Sequence, residues 1–178
     1  MVRKTHFVPI EQSRWDLDLV AVDESRQETG SFKFRAAWNL VQSVNEEHFL
    51  AASSGNFGQA LARACQLLNK RATIVMPTTS ARVKVEAVRG YGATVEWVDT
   101  SIKTRAARVA ELKEGFKDAY VASPYDCHYV IEGNASLGKE LAEQTLDFVI
   151  VPIGGGGLCS GIIKGLREAG SKTRVWGG

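Results

Sequence analysis

The chain has 178 residues, of which 44% are hydrophobic and 24% charged, enough apolar content to bury a sizeable core. This composition excludes a disordered chain, a disulfide-stapled mini-protein and a large multidomain assembly. The 22 basic and 20 acidic residues give a net charge of +2 without a long block of either sign, so the charge pattern predicts no nucleic acid and no membrane surface as partner.

The N-terminal segment and the cysteines bear on the cellular location of the protein and on its redox environment. The first six residues lack the apolar core of a signal peptide, and no stretch approaches the roughly 20 apolar residues of a membrane span. The cysteines are odd in number and widely spaced, which favours reduced thiols over disulfides or zinc ligands. They are Cys65, Cys127 and Cys159. The histidines are too scattered for a metal site, so we expect a soluble cytoplasmic enzyme or binding protein without a metal.

Short β-rich runs alternate with helical stretches along the chain, a pattern typical of parallel α/β sheets because each crossover helix returns the chain to the same edge. The predicted strands cover residues 19–23, 49–52, 72–76, 94–98, 120–122, 148–152 and 173–176. The predicted helices cover residues 32–44, 57–69, 82–91, 103–114, 134–143 and 161–168. The fold class is therefore predicted to be α/β.

The order of these elements suggests two domains. Three successive βα units between about residues 49 and 122 are enough to close a small parallel sheet. We predict a small, mobile α/β domain over residues 40–123 and a larger domain built from residues 1–39 and 124–178. The first strand and the segment after Pro124 are then expected to share the second sheet, which is short of strands.

Lys33 is the first residue in chain order that suggests chemistry. It stands at the start of the predicted helix 32–44, behind the glycine turn at Gly30 and beside Ser31. A lysine near a helix N-terminus faces positive potential and partial desolvation, and both favour the neutral amine needed for Schiff-base chemistry with a carbonyl. By itself, a lysine at the start of a helix is more often an ordinary solvated side chain.

A second loop joins the strand at 49–52 to the following helix. Its residues are Ser53, Ser54, Gly55 and Asn56. Backbone amides and hydroxyl groups at a helix N-terminus can hold a carboxylate. The alternative is an ordinary serine N-cap, because Ser and Asn are favoured at that position.

Four consecutive glycines, Gly154 to Gly157, follow the strand at 148–152 and precede a helix. In this arrangement backbone amides and the helix dipole can hold a phosphate group without a cationic side chain. The run lacks the lysine of a Walker loop and the spacing of a dinucleotide fingerprint, so a nucleoside triphosphate is disfavoured. The alternative is a merely flexible turn, whose four glycines would cost conformational entropy.

These segments resemble the fold-type II family of pyridoxal-phosphate enzymes, which includes serine and threonine dehydratases, serine racemase, threonine synthase and cysteine synthase. The chain carries Ser31-Phe32-Lys33, Ser53-Ser54-Gly55-Asn56, Glu132-Gly133-Asn134-Ala135-Ser136 and Gly154 to Leu158 in the order of the family. The third stretch is most similar to the dehydratase branch, where a similar segment borders the active site. The resemblance implies two parallel-sheet, three-layer domains of the tryptophan-synthase-β-like type.

The resemblance also implies roles for individual residues. Lys33 would form a Schiff base with pyridoxal 5'-phosphate, Phe32 would lie against the ring of this cofactor, and Asn56 would hydrogen-bond its phenolic oxygen. Its phosphate would be bound by Gly154, Gly155, Gly156, Gly157 and Leu158. The carboxylate of a small amino-acid substrate would be met by Ser53, Ser54, Gly55 and Asn56.

The implied reaction is the β-elimination of serine or threonine to a 2-oxo acid and ammonia, in which the freed amine of Lys33 removes the Cα proton. Ser54 keeps an alternative open. In serine racemase the second serine of this loop reprotonates the carbanion from the opposite face, whereas many dehydratases carry alanine there. The resemblance is therefore compatible with a dehydratase, a racemase or both activities in one enzyme.

Family members continue through further strands of the larger domain and through a hydroxyl or thiol residue that hydrogen-bonds the pyridine nitrogen. We therefore expect the larger domain to be incomplete here, with unpaired strand edges and an apolar face that favour association. A homo-oligomer or completion by a missing C-terminal segment would cover them. The alternative is a truncated, noncatalytic homologue that acts as an interaction module.

Overall fold

A computed structural model describes residues 1–11 and 17–178, and these residues form an α/β fold. The elements in chain order are β1 His6–Ile10, β2 Leu19–Asp23, α1 Lys33–Ser43, β3 His48–Ala52, α2 Asn56–Leu67, β4 Arg71–Pro77, α3 Arg82–Gly90, β5 Thr94–Val98, α4 Arg105–Gly115, β6 Tyr120–Val121, α5 His128–Ala142, β7 Phe148–Val151, α6 Gly157–Glu168 and β8 Arg174–Gly177. Among the described residues no helix is long and apolar enough to cross a membrane.

The central sheet has four parallel strands in the order β5-β4-β3-β6. Strands β3 and β4 are almost continuously apolar and buried, as expected for parallel strands that are covered on both faces. Phe49 and Ile74 pack toward a core shared with α1, α2 and α3, whereas Leu50 and Val75 pack toward α4. The prediction of a small parallel sheet between residues 49 and 122 is confirmed.

Strand β2 has the predicted bounds, but the prediction that it shares a sheet with the segment after Pro124 is wrong. It pairs antiparallel with β1, with His6 opposite Asp23, and β1 itself was not predicted. Strands β7 and β8 instead pair with each other in a separate parallel sheet, with Ile150 opposite Trp176. The short connection between β1 and β2 favours antiparallel pairing, since parallel pairing needs a crossover.

Helix α5 packs against α1 on one side and against α6 on the other through residues without side chains. An added Cβ at Gly133 would overlap the carbonyl oxygen of Arg35 in α1. Added Cβ atoms at Gly138 and Gly165 would overlap the backbone of the facing helix in the α5–α6 contact. Both helices begin earlier than predicted, α5 at His128 and α6 at Gly157.

A buried guanidinium group joins the β1–β2 hairpin to α1 and α5. The side chain of Arg35 has no solvent exposure, and it forms ion pairs with Glu24 at 2.6 Å and Glu140 at 2.9 Å. It also donates to the hydroxyls of Thr5 and Ser136. The network ties three elements together close to Lys33. The predicted division at residues 39 and 40 falls inside α1 and stays a prediction.

Candidate active site

Lys33 is the first residue of α1 and is half-buried, at the position that the sequence analysis predicted. Its Nζ donates a hydrogen bond to the carbonyl oxygen of Pro124 at 3.3 Å. The same atom lies 5.0 Å from the ring centre of Phe32 and 5.1 Å from that of Tyr125. Burial lowers the pKa of the Lys33 amine, because removal from water disfavours the charged form. The structure therefore moves this amine toward the state in which it can act as a nucleophile or base.

The turn before α1 leaves two buried hydroxyl groups without hydrogen-bond partners among the described residues. They belong to Thr29 and Ser31. Gly30 between them has a φ of 71°, a left-handed conformation that favours glycine. Buried polar groups are normally satisfied, so two orphaned hydroxyls beside Lys33 indicate a place where a polar ligand can bind.

The glycine loop ends at Gly156, whose φ of 83° turns the chain into α6. Added Cβ atoms at Gly154 and Gly156 would meet open space, so the backbone there is accessible. Leu158, which follows Gly157, is half-buried and packs against the core beneath α6. The amides at the start of a 12-residue helix thus stand at its positive end, where an anion is stabilised.

Asn134 supports this loop from below. Its Nδ2 donates to the carbonyl oxygen of Gly157 at 3.1 Å, and its side chain is 1% exposed. Its Oδ1 is buried without a partner among the described residues. The Glu-Gly-Asn-Ala-Ser stretch therefore lies within α5, where Gly133 contacts the lysine helix and Asn134 contacts the glycine loop.

Tyr125 connects the lysine to the glycine loop, and sequence reasoning missed it. Its ring stands over the Nζ of Lys33, while an added Cβ at Gly155 would overlap ring atoms of the same side chain. An added Cβ at Gly157 would lie 2.6 Å from the carbonyl oxygen of Tyr125. The Tyr125 side chain therefore lies next to both Lys33 and Gly155. The sequence feature that could have identified Tyr125 was its position just beyond the carboxyl end of β6.

In the loop before α2, the Ser53 hydroxyl accepts hydrogen bonds from the amides of Gly58 at 3.0 Å and Gly55 at 3.4 Å. An added Cβ at Gly58 would lie 2.9 Å from the Ser53 carbonyl oxygen, so glycine permits this tight turn. Ser54 is half-buried, and Gly55 directly precedes the helix. Ser53 thus accepts hydrogen bonds from amides at the start of α2, but the N-cap of this helix is Gly55, so the alternative of an ordinary serine N-cap is wrong.

Asn56 begins α2 and is exposed. Its Oδ1 accepts a hydrogen bond from Lys84 Nζ at 3.1 Å. An ammonium group can only donate, so this contact orients the Asn56 amide with Nδ2 left as a free donor. Among the described residues no hydrogen bond joins this loop to Lys33. The structure therefore brings Phe32, Lys33 and the glycine loop together around Tyr125.

Open surface cavities lie away from Lys33 and the glycine loop. One of about 400 Å³ is lined by Lys139, Ala142, Glu143, Glu168 and Ala169. Another of about 340 Å³ is lined by residues 144–147 and 171–174. Neither includes Lys33 or a glycine of the loop, and neither contains the convergent groups of a reactive site.

Gly133→Ala is expected to destabilise the fold by about 1–3 kcal/mol, because the added methyl group overlaps the Arg35 carbonyl and forces α1 from α5. Thermal or denaturant unfolding measures the loss. Gly115→Ala is the matched control, since an added Cβ there meets nothing within 4 Å. Equal stability of the two variants would contradict the close packing of α1 on α5.

Comparison with known proteins agrees with this geometry. Residues 1–178 match the family described as pyridoxal-phosphate dependent enzyme. The chain is 36% identical to the catabolic L-threonine dehydratase of Staphylococcus aureus, over 86% of this chain and 46% of the relative. It is 38% identical to the L-threo-3-hydroxyaspartate ammonia-lyase of Saccharomyces cerevisiae, over 86% of this chain and 49% of the relative.

The solved structures show the same fold. Maize serine racemase superposes with a TM-score of 0.84 and 32% identity, over 90% of this chain and 50% of the racemase chain. Threonine deaminase isoform 2 of Solanum lycopersicum superposes with a TM-score of 0.82 and 32% identity, over 90% and 48%. The chain spans about half the length of the curated relatives that it matches.

Proposed function

The chain belongs to the family of pyridoxal-phosphate dependent enzymes, and we propose that it supplies the lysine and the phosphate-binding loop of a serine or threonine ammonia-lyase. The observation that carries the proposal is the half-buried Lys33 amine, with its lowered pKa, one aromatic ring away from the glycines at the start of α6. Relatives named as a threonine dehydratase and a hydroxyaspartate ammonia-lyase support the substrate class.

The residues of the site fit pyridoxal phosphate. The accessible amides of Gly154 and Gly156 at the α6 N-terminus suit a phosphate group, and Lys33 suits an aldehyde. The orphaned hydroxyls of Thr29 and Ser31 offer further polar contacts near the lysine. When bound, this cofactor supplies an aldehyde and a conjugated ring that takes up negative charge.

In the proposed reaction, Lys33 is the residue of this chain that acts as the base. Its amine is half-buried, and its lowered pKa increases the fraction that is neutral and able to take a proton from the substrate Cα at Nζ. The substrate loses its β-hydroxyl as water, and water then replaces its nitrogen. The net reaction converts the amino acid to a 2-oxo acid and ammonia.

Substrate orientation is proposed for the loop before α2. The hydroxyl of Ser54 and the amides of the first turn are donors that suit a carboxylate, and the free Nδ2 of Asn56 is a donor for the cofactor's phenolic oxygen. Because no hydrogen bond of the described part of the chain links this loop to Lys33, its movement toward Lys33 is part of the proposal. Ser53 contributes by shaping the turn through its bonds to Gly55 and Gly58.

The purified chain incubated with pyridoxal phosphate tests the main proposal. We expect a visible absorbance that depends on Lys33, and formation of 2-oxo acid and ammonia from L-serine or L-threonine. Absence of both would contradict the enzyme proposal and would leave the alternative of a noncatalytic interaction module.

Racemisation of serine is the second candidate activity, and the hydroxyl at Ser54 together with the likeness to maize serine racemase favours it. Ser54→Ala is expected to lower racemisation by about 10²-fold or more, the usual contribution of a positioned proton donor, while elimination persists. Chiral chromatography of the remaining serine and an oxo-acid assay measure the two rates. Equal loss of both rates would show that Ser54 serves binding instead of proton transfer.

We further propose that the β7–β8 sheet is covered in the functional protein, by a second copy of this chain or by a C-terminal segment. Phe148, Ile150 and Trp176 share one face of this sheet and are 44%, 76% and 58% exposed. The rings of Phe148 and Trp176 lie 5.3 Å apart. An apolar face with unpaired strand edges favours association. Sedimentation of the purified chain is expected to give a mass above 19.4 kDa.

A further inference from the structure

The side chain of Tyr125 occupies the space between the two halves of the proposed cofactor site. One side of its ring stands 5.1 Å from the Nζ of Lys33. Its ring atoms also fill the position that a Cβ at residue 155 would take. A ligand that spans Lys33 and Gly155 would therefore meet this ring.

The same segment holds the Lys33 amine. The Pro124 carbonyl accepts its hydrogen bond, and the rings of Phe32 and Tyr125 stand at cation–π distance from Nζ. These contacts hold the Lys33 side chain in its observed position. Departure of Tyr125 would both clear the space and remove one of the contacts that hold the amine.

Tyr125 is weakly anchored compared with the residues around it. Its side chain is 49% exposed, which allows it to turn outward into solvent. Its amide has a long hydrogen bond of 3.4 Å to the Ser123 hydroxyl, and its carbonyl accepts from the amide of Cys127 at 3.2 Å. Movement of the side chain therefore breaks no buried hydrogen bond of the described structure.

We propose that Tyr125 is a gate residue that covers Lys33 in the unloaded protein and turns outward when a ligand with an aldehyde and an anionic tail enters. The proposal rests on the proposed function of Lys33 and the glycine loop. The aromatic ring does this and the hydroxyl does not, because the atoms of Tyr125 nearest Lys33 and Gly155 are ring atoms and its Cβ, and none is the hydroxyl oxygen. Tyr125→Phe is therefore the matched control for Tyr125→Ala.

The first test measures the access to Lys33 without any cofactor. Acetylation of the full chain by acetic anhydride is followed by mass spectrometry of the peptide that contains Lys33, with the exposed Lys172 as internal reference. In Tyr125→Ala we expect Lys33 to react about fivefold faster than in the wild type, whereas Tyr125→Phe keeps the wild-type rate. Equal Lys33 rates in all three proteins, or a fast rate in Tyr125→Phe, would overturn the gate.

The second test measures entry of the cofactor. The rate at which visible absorbance develops with pyridoxal phosphate is expected to rise in Tyr125→Ala and to stay unchanged in Tyr125→Phe. Lys33-dependent absorbance with identical rates in all variants would refute the gate and leave the proposed function standing. Faster acetylation in Tyr125→Ala without absorbance in any protein would support the gate and refute the function. Thermal unfolding shows whether each variant is folded. If Tyr125→Ala does not fold, Tyr125→Leu, which also lacks a ring, takes its place.

Discussion

Lys33→Ala is expected to abolish the visible absorbance of the protein with pyridoxal phosphate and to lower 2-oxo acid formation by about 10³-fold or more. The reason is that the variant loses both the amine that binds the aldehyde and the base that takes the Cα proton. Absorbance spectra and a coupled oxo-acid assay measure the two losses. The fold should survive, because within residues 1–11 and 17–178 the Lys33 side chain forms one hydrogen bond, to the carbonyl of Pro124.

Lys172→Ala is the matched control for this variant, since Lys172 is exposed and lies away from the glycine loop. It should keep both the absorbance and the activity. Full activity in Lys33→Ala would remove the basis of the proposed function. Loss of activity in both variants would point to a general effect of lysine removal and would likewise count against a specific role for Lys33.

The pH dependence of the Lys33 reaction follows from its environment. Burial lowers the pKa of the amine from the ordinary value of 10.5, so the neutral form should accumulate at lower pH than in an exposed lysine. The acetylation rate of Lys33 is therefore expected to rise with pH through a midpoint below 10.5. A midpoint at or above 10.5 would contradict the desolvated environment.

Arg35→Leu is expected to give a large loss of stability, about 3–5 kcal/mol, the usual result of removing one partner from a buried ion-pair network. Without the guanidinium group, the carboxylates of Glu24 and Glu140 lose their shared counter-charge, and the Thr5 hydroxyl loses a donor. For a domain of this size the melting temperature should fall by about 10 °C. Calorimetry or denaturant unfolding measures the change.

The control for Arg35→Leu is Arg82→Leu. Arg82 also forms an ion pair, with Glu86 one helical turn away, but its side chain is 91% exposed. Such surface pairs contribute only about 0.3–0.5 kcal/mol, so this variant should unfold close to the wild type. A similar decrease in the free energy of unfolding in both variants would show that burial does not make the ion pairs of Arg35 more stabilising than a surface pair.

The stability difference between the wild type and Arg35→Leu should also depend on pH. Burial raises the pKa of Glu140, but the hydrogen bonds from Arg35 and Thr5 outweigh this effect and hold it below 4.5 in the folded protein. A carboxyl group with a lowered pKa stabilises the fold above its unfolded pKa, and this contribution is lost as the pH falls through the folded pKa. The difference should therefore be full at pH 7 and shrink below about pH 4.5. A constant difference down to acidic pH would contradict this linkage.

Much of the fold and part of the site could be predicted from local patterns. Strands β2 and β5 have the predicted bounds, because alternation and flanking turns mark a strand within a few residues. Lys33 lies at the start of a helix as predicted, because the glycine turn that precedes this helix is formed by residues close to it in the sequence. The order of the lysine, serine, asparagine and glycine segments was sufficient to indicate the family.

Local patterns could not predict contacts between distant residues. Lys33 meets Pro124 across 91 positions, and Arg35 meets Glu140 across 105. Neither helical period nor turn composition specifies which distant residue fills the space beside a given side chain. Tyr125 therefore entered the site only when the structure was known, and so did the contact of Asn134 with the glycine loop.

The amino-acid sequence by itself determined the α/β alternation, the parallel sheet between residues 49 and 122 and the placement of Lys33, because each depends on neighbours within about one turn or one strand. The tertiary structure decided that β2 pairs with β1, that α5 lies between the lysine helix and the glycine-loop helix, and that Tyr125 covers Lys33. These features depend on how closely whole elements approach one another. That distance is set by packing in three dimensions, where glycines such as Gly133 let two backbones touch.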